Sequence, residues 1–198
     1  MQVPHSRENV KGQPEKRAAI LDAALDLFAE RGLHGTAVPL VAEKAKVGIG
    51  TIYRYFETKE ALVNALYQEQ KRLMAAAIQR DFPIDLSPRE QFHVLWVRLV
   101  EFAREHPASI RFMELHYHQS YLDETSRKLE EQVSAWFAGL LGPGVELQVL
   151  KEGPPELFMA LVKGAFVGMM RAYWDGRFEL TEEILEIAEA CCWEAIRG

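Results

Sequence analysis

Residues 36–59 constrain the fold of this chain most, because they hold two short amphipathic segments joined by a tight turn. Apolar residues recur at helical spacing in both segments, namely Val38, Val41, Ala42 and Ala45 in the first and Ile52 and Phe56 in the second. Helices this short fall below the roughly 12 to 15 residues that an isolated helix needs in water. Each must therefore bury its apolar stripe against a larger neighbour.

Residues 15–31 predict that neighbour, a longer amphipathic helix. Pro14 suits the entry to this helix, and Gly32 suits its end. The apolar stripe of the helix consists of Ile20, Ala23, Ala24, Leu27 and Phe28. The sequence thus predicts a three-helix head whose last helix is short and keeps one face free.

The free face of this last helix has the chemistry of a DNA-reading element. Gly50 and Thr51 are small enough for the helix N-terminus to approach a phosphate backbone, where free N–H groups and the helix dipole favour an anion. Tyr53 and Arg54 can reach base edges or phosphates in a major groove. The stretch therefore favours a transcription factor over an enzyme or a purely structural helix bundle.

At these residues the chain resembles the TetR family of transcriptional regulators. The family pattern has an apolar first helix, a Gly, a Thr or Ser that opens the second helix, an Ile-Ala pair and an Ala-Gly-Val turn. A Gly-Thr-Leu-Tyr run, a Tyr or His, a Phe and a Lys that opens the fourth helix follow. In this chain those places hold Phe28, Gly32, Val41, Ala42, Ala45 to Val47, Gly50 to Tyr53, Tyr55, Phe56 and Lys59. The match covers residues 14–74, and beyond it only the length and the all-helical character agree.

The resemblance implies an all-α protein of about nine helices. A helix-turn-helix DNA-binding head spans residues 14–74, with the motif itself at about 37–56, and a C-terminal effector-binding and dimerisation domain spans 75–198. The resemblance also implies a homodimer that binds a palindromic operator in double-stranded DNA and represses transcription until a small molecule releases it. An activator or an effector-independent regulator with the same head is the alternative, and a helical enzyme is the least favoured class.

Position by position, the resemblance assigns roles to the residues of the head. The base-facing places hold Ile49, Gly50 and Tyr53, and the phosphate-contacting places hold Thr51, Tyr55 and Lys59. Arg54 occupies a variable place, from which a guanidinium can pair with a guanine or a phosphate. The complete predicted DNA-binding set is Thr36, Lys46, Gly48, Ile49, Gly50, Thr51, Tyr53, Arg54, Tyr55 and Lys59.

Three departures from the family pattern affect the head. Ala37 replaces the usual Thr or Ser cap of the second helix, and Thr36 is the residue that can take over. Lys46 replaces the turn Gly, so a left-handed conformation there would cost roughly 1 to 2 kcal/mol, which an ammonium contact to DNA can offset. Gly48 and Ile49 stand where Ser and Lys are common, which makes the entrance to the recognition helix less polar.

The charge of the chain is unevenly distributed. The formal net charge is −6, but residues 1–60 hold nine Lys or Arg and eight Asp or Glu, so the acidic excess lies in the remainder. We expect a few placed cations to steer the head to DNA. No signal peptide opens the chain and no apolar run approaches the roughly 20 residues of a membrane span, which predicts a cytoplasmic protein without a membrane partner.

After Lys59 the sequence predicts helices to the end of the chain. Their expected bounds are Lys59 to about Arg80, a helix after the Ser87 and Glu90 capping box, 108–118, 122–141 ending near Gly142-Pro143-Gly144, about 156–174, and Thr181 to about 197. The last two carry a predicted dimer surface of Phe158, Leu161, Val162, Ala165, Ile184, Ile187, Ala188 and Cys191. The alternative is that these residues fill the monomer core.

An effector pocket for a small apolar or aromatic molecule is predicted in the C-terminal domain. Its candidate residues are Trp96, Phe112, His116, Tyr117, Phe137, Phe166 and Met170, for each of which a role in the core is the alternative. The cluster Glu114, His116, His118 and Asp123 is disfavoured as a metal site, because the two histidines lie two residues apart and point to different faces of a helix. No metal, cofactor or catalytic residue is predicted, since no catalytic motif occurs.

Overall fold

The computed structural model describes residues 12–115 and 121–198, and these ranges are largely helical. The helices are α1 Gly12–Arg31, α2 Val38–Lys44, α3 Ile49–Tyr55, α4 Lys59–Gln79, α5 Pro88–Glu105, α6 Pro107–Ile110, α7 Glu124–Glu146, α8 Pro155–Trp174 and α9 Glu182–Ile196, with a π-helical turn at Arg111–Leu115. One isolated antiparallel bridge joins Leu150 to Arg197. The predicted all-α fold with a helix-turn-helix head is confirmed.

The chain forms two compact units, and the division between them falls within α4 and again within α7. The first unit contains α1 to α3, α4 as far as Arg72, and residues 106–127; the second contains the remainder of α4, α5, the rest of α7, α8 and α9. Residues 106–127, which follow the predicted domain boundary at residue 74, group with the first unit by their contacts. Within the first unit, the Phe112 ring stacks on Phe28 of α1 with 6.1 Å between the ring centroids.

The core of the first unit is built on α1. Ile20, Ala24 and Phe28 on this helix are fully buried. Val41 of α2 and Ile52 of α3 are buried as well, so each of the two short helices uses the apolar stripe that the sequence predicts. Burial of this kind replaces the stability that helices of seven residues lack on their own.

Asn64 of α4 fixes the start of α7 within the first unit. Its amide nitrogen donates to the carbonyl oxygens of Glu60 at 2.9 Å and Tyr121 at 2.6 Å. Its amide oxygen accepts from the backbone N–H of Asp123 at 2.9 Å and from the Ser126 hydroxyl at 2.8 Å. A single buried amide therefore uses both of its ends, which explains how residues 121–127 are held to the head unit.

The predicted caps of α5 and α9 are confirmed. The Glu90 carboxylate accepts from the backbone N–H of Ser87 at 3.0 Å and from the Ser87 hydroxyl at 2.6 Å. The bond from the hydroxyl first, and then the bond from the backbone N–H, favours the charged form and lowers the pKa of Glu90. At α9 the Ile184 N–H donates to the Thr181 hydroxyl oxygen at 3.3 Å.

The predicted end of α7 near Gly142-Pro143-Gly144 is wrong, because the helix continues through Pro143 to Glu146. Gly144 is needed for close packing: a Cβ added there would lie 2.9 Å from the Leu150 side chain. Its carbonyl accepts from the backbone N–H groups of Val149 and Leu150, each at 2.9 Å. The Gly-Pro-Gly sequence therefore does not end the helix. Its Gly144 instead allows the segment after α7 to pack closely against the helix.

Thr36→Val tests the first unit. Thr36 is fully buried, and its hydroxyl is hydrogen-bonded to the carbonyl oxygens of Leu27 at 3.1 Å and Gly32 at 2.9 Å. Valine has nearly the same shape but leaves these carbonyls without that partner, so we expect a loss of about 1 to 3 kcal/mol in the free energy of unfolding in urea. The exposed Thr125→Val is the control and should stay within about 0.5 kcal/mol of the parent. Equal effects of the two substitutions would contradict this role of Thr36.

Candidate nucleic-acid interface

A four-residue turn connects α2 to α3 and sets the direction of α3. The backbone N–H of Lys46 donates to the Glu43 carbonyl at 3.1 Å, and that of Val47 donates to the Ala42 carbonyl at 3.0 Å. Lys46 has φ of 53°, so it adopts the left-handed conformation that the sequence identified as costly for a residue with a side chain. The Lys46 side chain is exposed beside the start of α3.

The outer face of α3 exposes large side chains that contribute little to the core of the head. Ile49 is 45% exposed and Tyr53 is 48% exposed, whereas Ile52 on the opposite face is buried. Arg54 is also exposed, and Thr51 and Tyr55 are half-buried. The helix therefore presents an apolar residue, a phenol and a guanidinium together, which is a chemistry suited to base edges and phosphates.

Gly48 and Gly50 leave open space at the entrance to α3. A Cβ added to either residue would meet no atom of the protein within 4 Å. Gly48, the N-cap, has φ of −71°, and Gly50 lies within the helix, so neither backbone needs the freedom of glycine. The fold itself does not require these glycines, whereas the close approach of a nucleic-acid backbone would.

Two residues of the predicted DNA-binding set point inward. Thr36 is buried and its hydroxyl is hydrogen-bonded to the Leu27 carbonyl of α1, so it neither caps α2 nor faces the surface. Ala37 is the N-cap of α2 and forms no side-chain hydrogen bond. Lys59 is half-buried, its ammonium donates to the Leu33 carbonyl, and it lies 6.0 Å from the centroid of the Phe28 ring. Spacing along the chain could not distinguish these inward contacts from phosphate contacts.

The residues predicted for an effector pocket fall in different places. In the second unit Trp96, Phe166 and Met170 are buried, and Phe137 is half-buried with its ring edge-on to Trp136 at 5.1 Å. Phe112 belongs to the first unit, where it stacks on Phe28. His116, Tyr117 and His118 lie outside the described residues. Across the described part of the chain, no group of three His, Cys, Asp or Glu is placed to hold a metal ion.

The predicted dimer residues divide between core and surface. Phe158 is buried in the second unit. Leu161 is 49% exposed and Ile187 is 53% exposed. Ala165 and Cys191 are exposed as well, and the half-buried members of the set are Val162, Ile184 and Ala188. A Cβ added at Gly164 or Gly168 would meet nothing within 4 Å, so the exposed side of α8 is open to close approach.

Comparison with known proteins places both parts of the chain in one family. Residues 20–66 match the family model described as bacterial regulatory proteins, tetR family, and residues 67–198 match that of the tetracyclin repressor-like C-terminal domain. The described residues contain no helix with the length and apolar character to cross a membrane.

Individual relatives agree with these matches. The fatty acid metabolism regulator protein of Bacillus subtilis is 29% identical over 73% of this chain and 75% of its own length. The HTH-type transcriptional repressor Rv3405c of Mycobacterium tuberculosis is 37% identical over 42% of this chain and 44% of its own length. The crystal structure of a putative tetR family regulator from Shewanella sp. PV-4 superposes with a TM-score of 0.80 at 26% identity, covering 92% of this chain and 98% of the other.

Lys46→Gly tests the strained turn. Glycine adopts a left-handed conformation without the Cβ clash, so we expect the free energy of unfolding to rise by about 1 kcal/mol. We also expect weaker DNA binding, because an exposed cation beside α3 is lost. Lys16→Gly, an exposed position in the interior of α1, is the matched control and should lower stability by about 0.5 to 1 kcal/mol. Lower stability of Lys46→Gly would contradict the strain argument.

Proposed function

Because the chain belongs to the TetR family of bacterial transcriptional regulators and is not an enzyme, we propose that it is a homodimeric repressor of a palindromic operator. A small apolar or aromatic effector releases it from the DNA. The observation that carries the DNA-binding part is the outer face of α3, where Ile49 and Tyr53 are about half exposed beside Gly50.

The DNA contacts follow from this face. Ile49, Gly50 and Tyr53 face the bases, and Thr51, Arg54 and Tyr55 lie where they can meet bases or phosphates. Lys46 supplies a phosphate contact from the turn, which offsets the cost of its left-handed backbone. Lys59 acts indirectly, by holding the Leu33 carbonyl and so the connection between α1 and α2.

The second unit supplies the dimer surface. Leu157 and Leu161 on α8 and Ile187 on α9 are each about half exposed, and Gly164 continues the α8 face with open space above it. A second copy of the chain that covers this face removes apolar side chains from water, which favours association. A dimer then places two copies of α3 about one DNA turn apart, roughly 34 Å, and the operator is an inverted repeat.

The effector acts through α4, which runs from the first unit into the second. A ligand in the second unit that prefers the released conformation shifts the population away from the DNA-bound one. A tenfold loss of DNA affinity needs only about 1.4 kcal/mol of coupling. The sign of regulation agrees with the repressors among the curated relatives.

Selection from randomised duplex DNA tests this function. The purified protein is incubated with the duplexes at near-physiological salt, and the retained fraction is sequenced. We expect an inverted repeat with half-sites about one helical turn apart. Enrichment of a single, unpaired half-site would contradict the dimer, and the absence of any enriched sequence would contradict operator recognition.

Gly50→Ala separates DNA contact from stability. Alanine as the second residue of α3 should stabilise the helix by up to about 0.5 kcal/mol, because the added methyl meets nothing in the protein. The same methyl obstructs close approach of the DNA backbone, so we expect about a tenfold rise in the dissociation constant for the selected duplex, equivalent to about 1.4 kcal/mol. Gly139→Ala in α7 adds a methyl to equally open space and should leave DNA affinity unchanged. Parental affinity of Gly50→Ala would contradict this placement of the DNA.

Leu161→Glu tests the dimer surface. A buried, unpaired carboxylate at an interface is costly, so we expect analytical ultracentrifugation to show monomers at concentrations where the parent is dimeric. Leu147 is 67% exposed but lies between α7 and α8, so Leu147→Glu is the matched control and should remain dimeric. A dimeric Leu161→Glu variant would place the interface elsewhere.

A further inference from the structure

The indole nitrogen of Trp96 is a buried donor that lacks an acceptor. Trp96 lies on α5 and is 2% exposed. Among the residues that the structure describes, its Nε1 is the buried side-chain nitrogen or oxygen that has no hydrogen-bond partner. A donor taken out of water without a partner is costly and therefore rare in native proteins.

Other buried polar side chains in the described ranges do find partners. The Ser109 hydroxyl donates to the Gln70 side-chain oxygen at 2.5 Å. The Glu189 carboxylate contacts Arg89 at 2.5 Å and His93 at 2.8 Å. A phenylalanine in place of Trp96 would bury a similar apolar ring without an unpaired N–H. The indole N–H of Trp96 is thus an exception among these buried polar groups, and a bound ligand that accepts its hydrogen bond would explain it.

The surroundings of Trp96 define the kind of ligand that can supply an acceptor to its indole N–H. The Phe92 ring stacks on Trp96 at 6.4 Å between centroids, and the Phe166 ring of α8 meets it edge-on at 5.7 Å. Met170 lies one helical turn after Phe166 on α8 and is fully buried. An ionised acceptor would pay a large desolvation cost among these groups, so a neutral oxygen acceptor fits better.

A cationic ligand fits this aromatic cluster poorly. The Arg89 guanidinium already lies 6.0 Å from the Phe92 ring centroid and 5.4 Å from that of Trp193. Its charge is paired with the Glu189 carboxylate, so that carboxylate is already used and does not hold a second cation. A cation also offers no lone pair to an indole N–H, which only donates. Such a ligand would leave Nε1 as it is.

We propose that the Trp96 Nε1–H group is the donor that selects the effector, and that the effector is a neutral, largely apolar molecule carrying an oxygen acceptor such as a ketone, ester or ether. This inference rests on the proposed effector response, because it assigns the chemistry of the effector site. One hydrogen bond in apolar surroundings then makes such a molecule bind more tightly than a hydrocarbon of the same shape.

Proton–nitrogen NMR of the indole groups tests the proposal. The four tryptophans give four indole resonances, and Trp96→Phe identifies the one from Trp96 by its loss. The probes are three ketones, each paired with the alkene that replaces C=O by C=CH₂: acetophenone with α-methylstyrene, 2-acetylnaphthalene with 2-isopropenylnaphthalene, and 2-tridecanone with 2-methyl-1-tridecene. We expect at least one ketone to move the Trp96 indole proton downfield and to bind about tenfold more tightly than its alkene.

Trp96→Phe should abolish the preference for the ketone, whereas Trp136→Phe, which changes a half-buried indole stacked edge-on to Phe82, should retain it. The proposal is overturned if no ketone moves the Trp96 resonance, if ketone and alkene bind equally, or if a bound water already contacts the N–H in the free protein and stays when ketones are added.

DNA binding is measured separately on the selected duplex. A ketone response without DNA binding would contradict the proposed function and leave this inference standing. DNA binding without a ketone response would contradict this inference and leave the proposed function standing.

Discussion

The head depends on the burial of two short helices against α1. Neither α2 nor α3, with seven residues each, would persist alone in water, and each is held by a few apolar side chains such as Val41 and Ile52. In this arrangement one side of α3 is buried in the core, and the other side is exposed. The exposed residues of α3 are therefore presented on a rigid support, as recognition of a duplex requires.

Much of this head could be predicted from the sequence, because helical periodicity and cap residues act locally. The spacing of apolar residues identifies the buried faces, and the left-handed Lys46 follows from its place in the turn. Side chains that reach distant parts of the chain were not predictable in this way. Thr36 and Lys59 were expected at the DNA surface, yet both are hydrogen-bonded to carbonyl groups of the head.

Long-range packing also explains the other differences. The expectation that this helix ends near Gly142-Pro143-Gly144 uses a local rule, whereas the packing at Gly144 is decided by the approach of Leu150 from later in the chain. The stacking of Phe112 on Phe28 unites residues 84 positions apart, and no periodicity encodes it. The pocket candidates are mostly aromatic, and aromatic side chains line cores and ligand sites alike. Among the candidates that the structure describes, the unpaired nitrogen gives Trp96 a distinguishing chemistry.

The most direct test of the central claim is amide hydrogen exchange of the protein with and without the selected duplex. If the outer face of α3 binds DNA, the duplex should slow exchange in peptides covering residues 46–56, which contain Lys46 of the turn and the whole of α3. Peptides from the core of the second unit, such as those around Phe166, should change little by comparison. Protection elsewhere in the chain, with residues 46–56 unchanged, would contradict the assignment of α3 as the recognition helix.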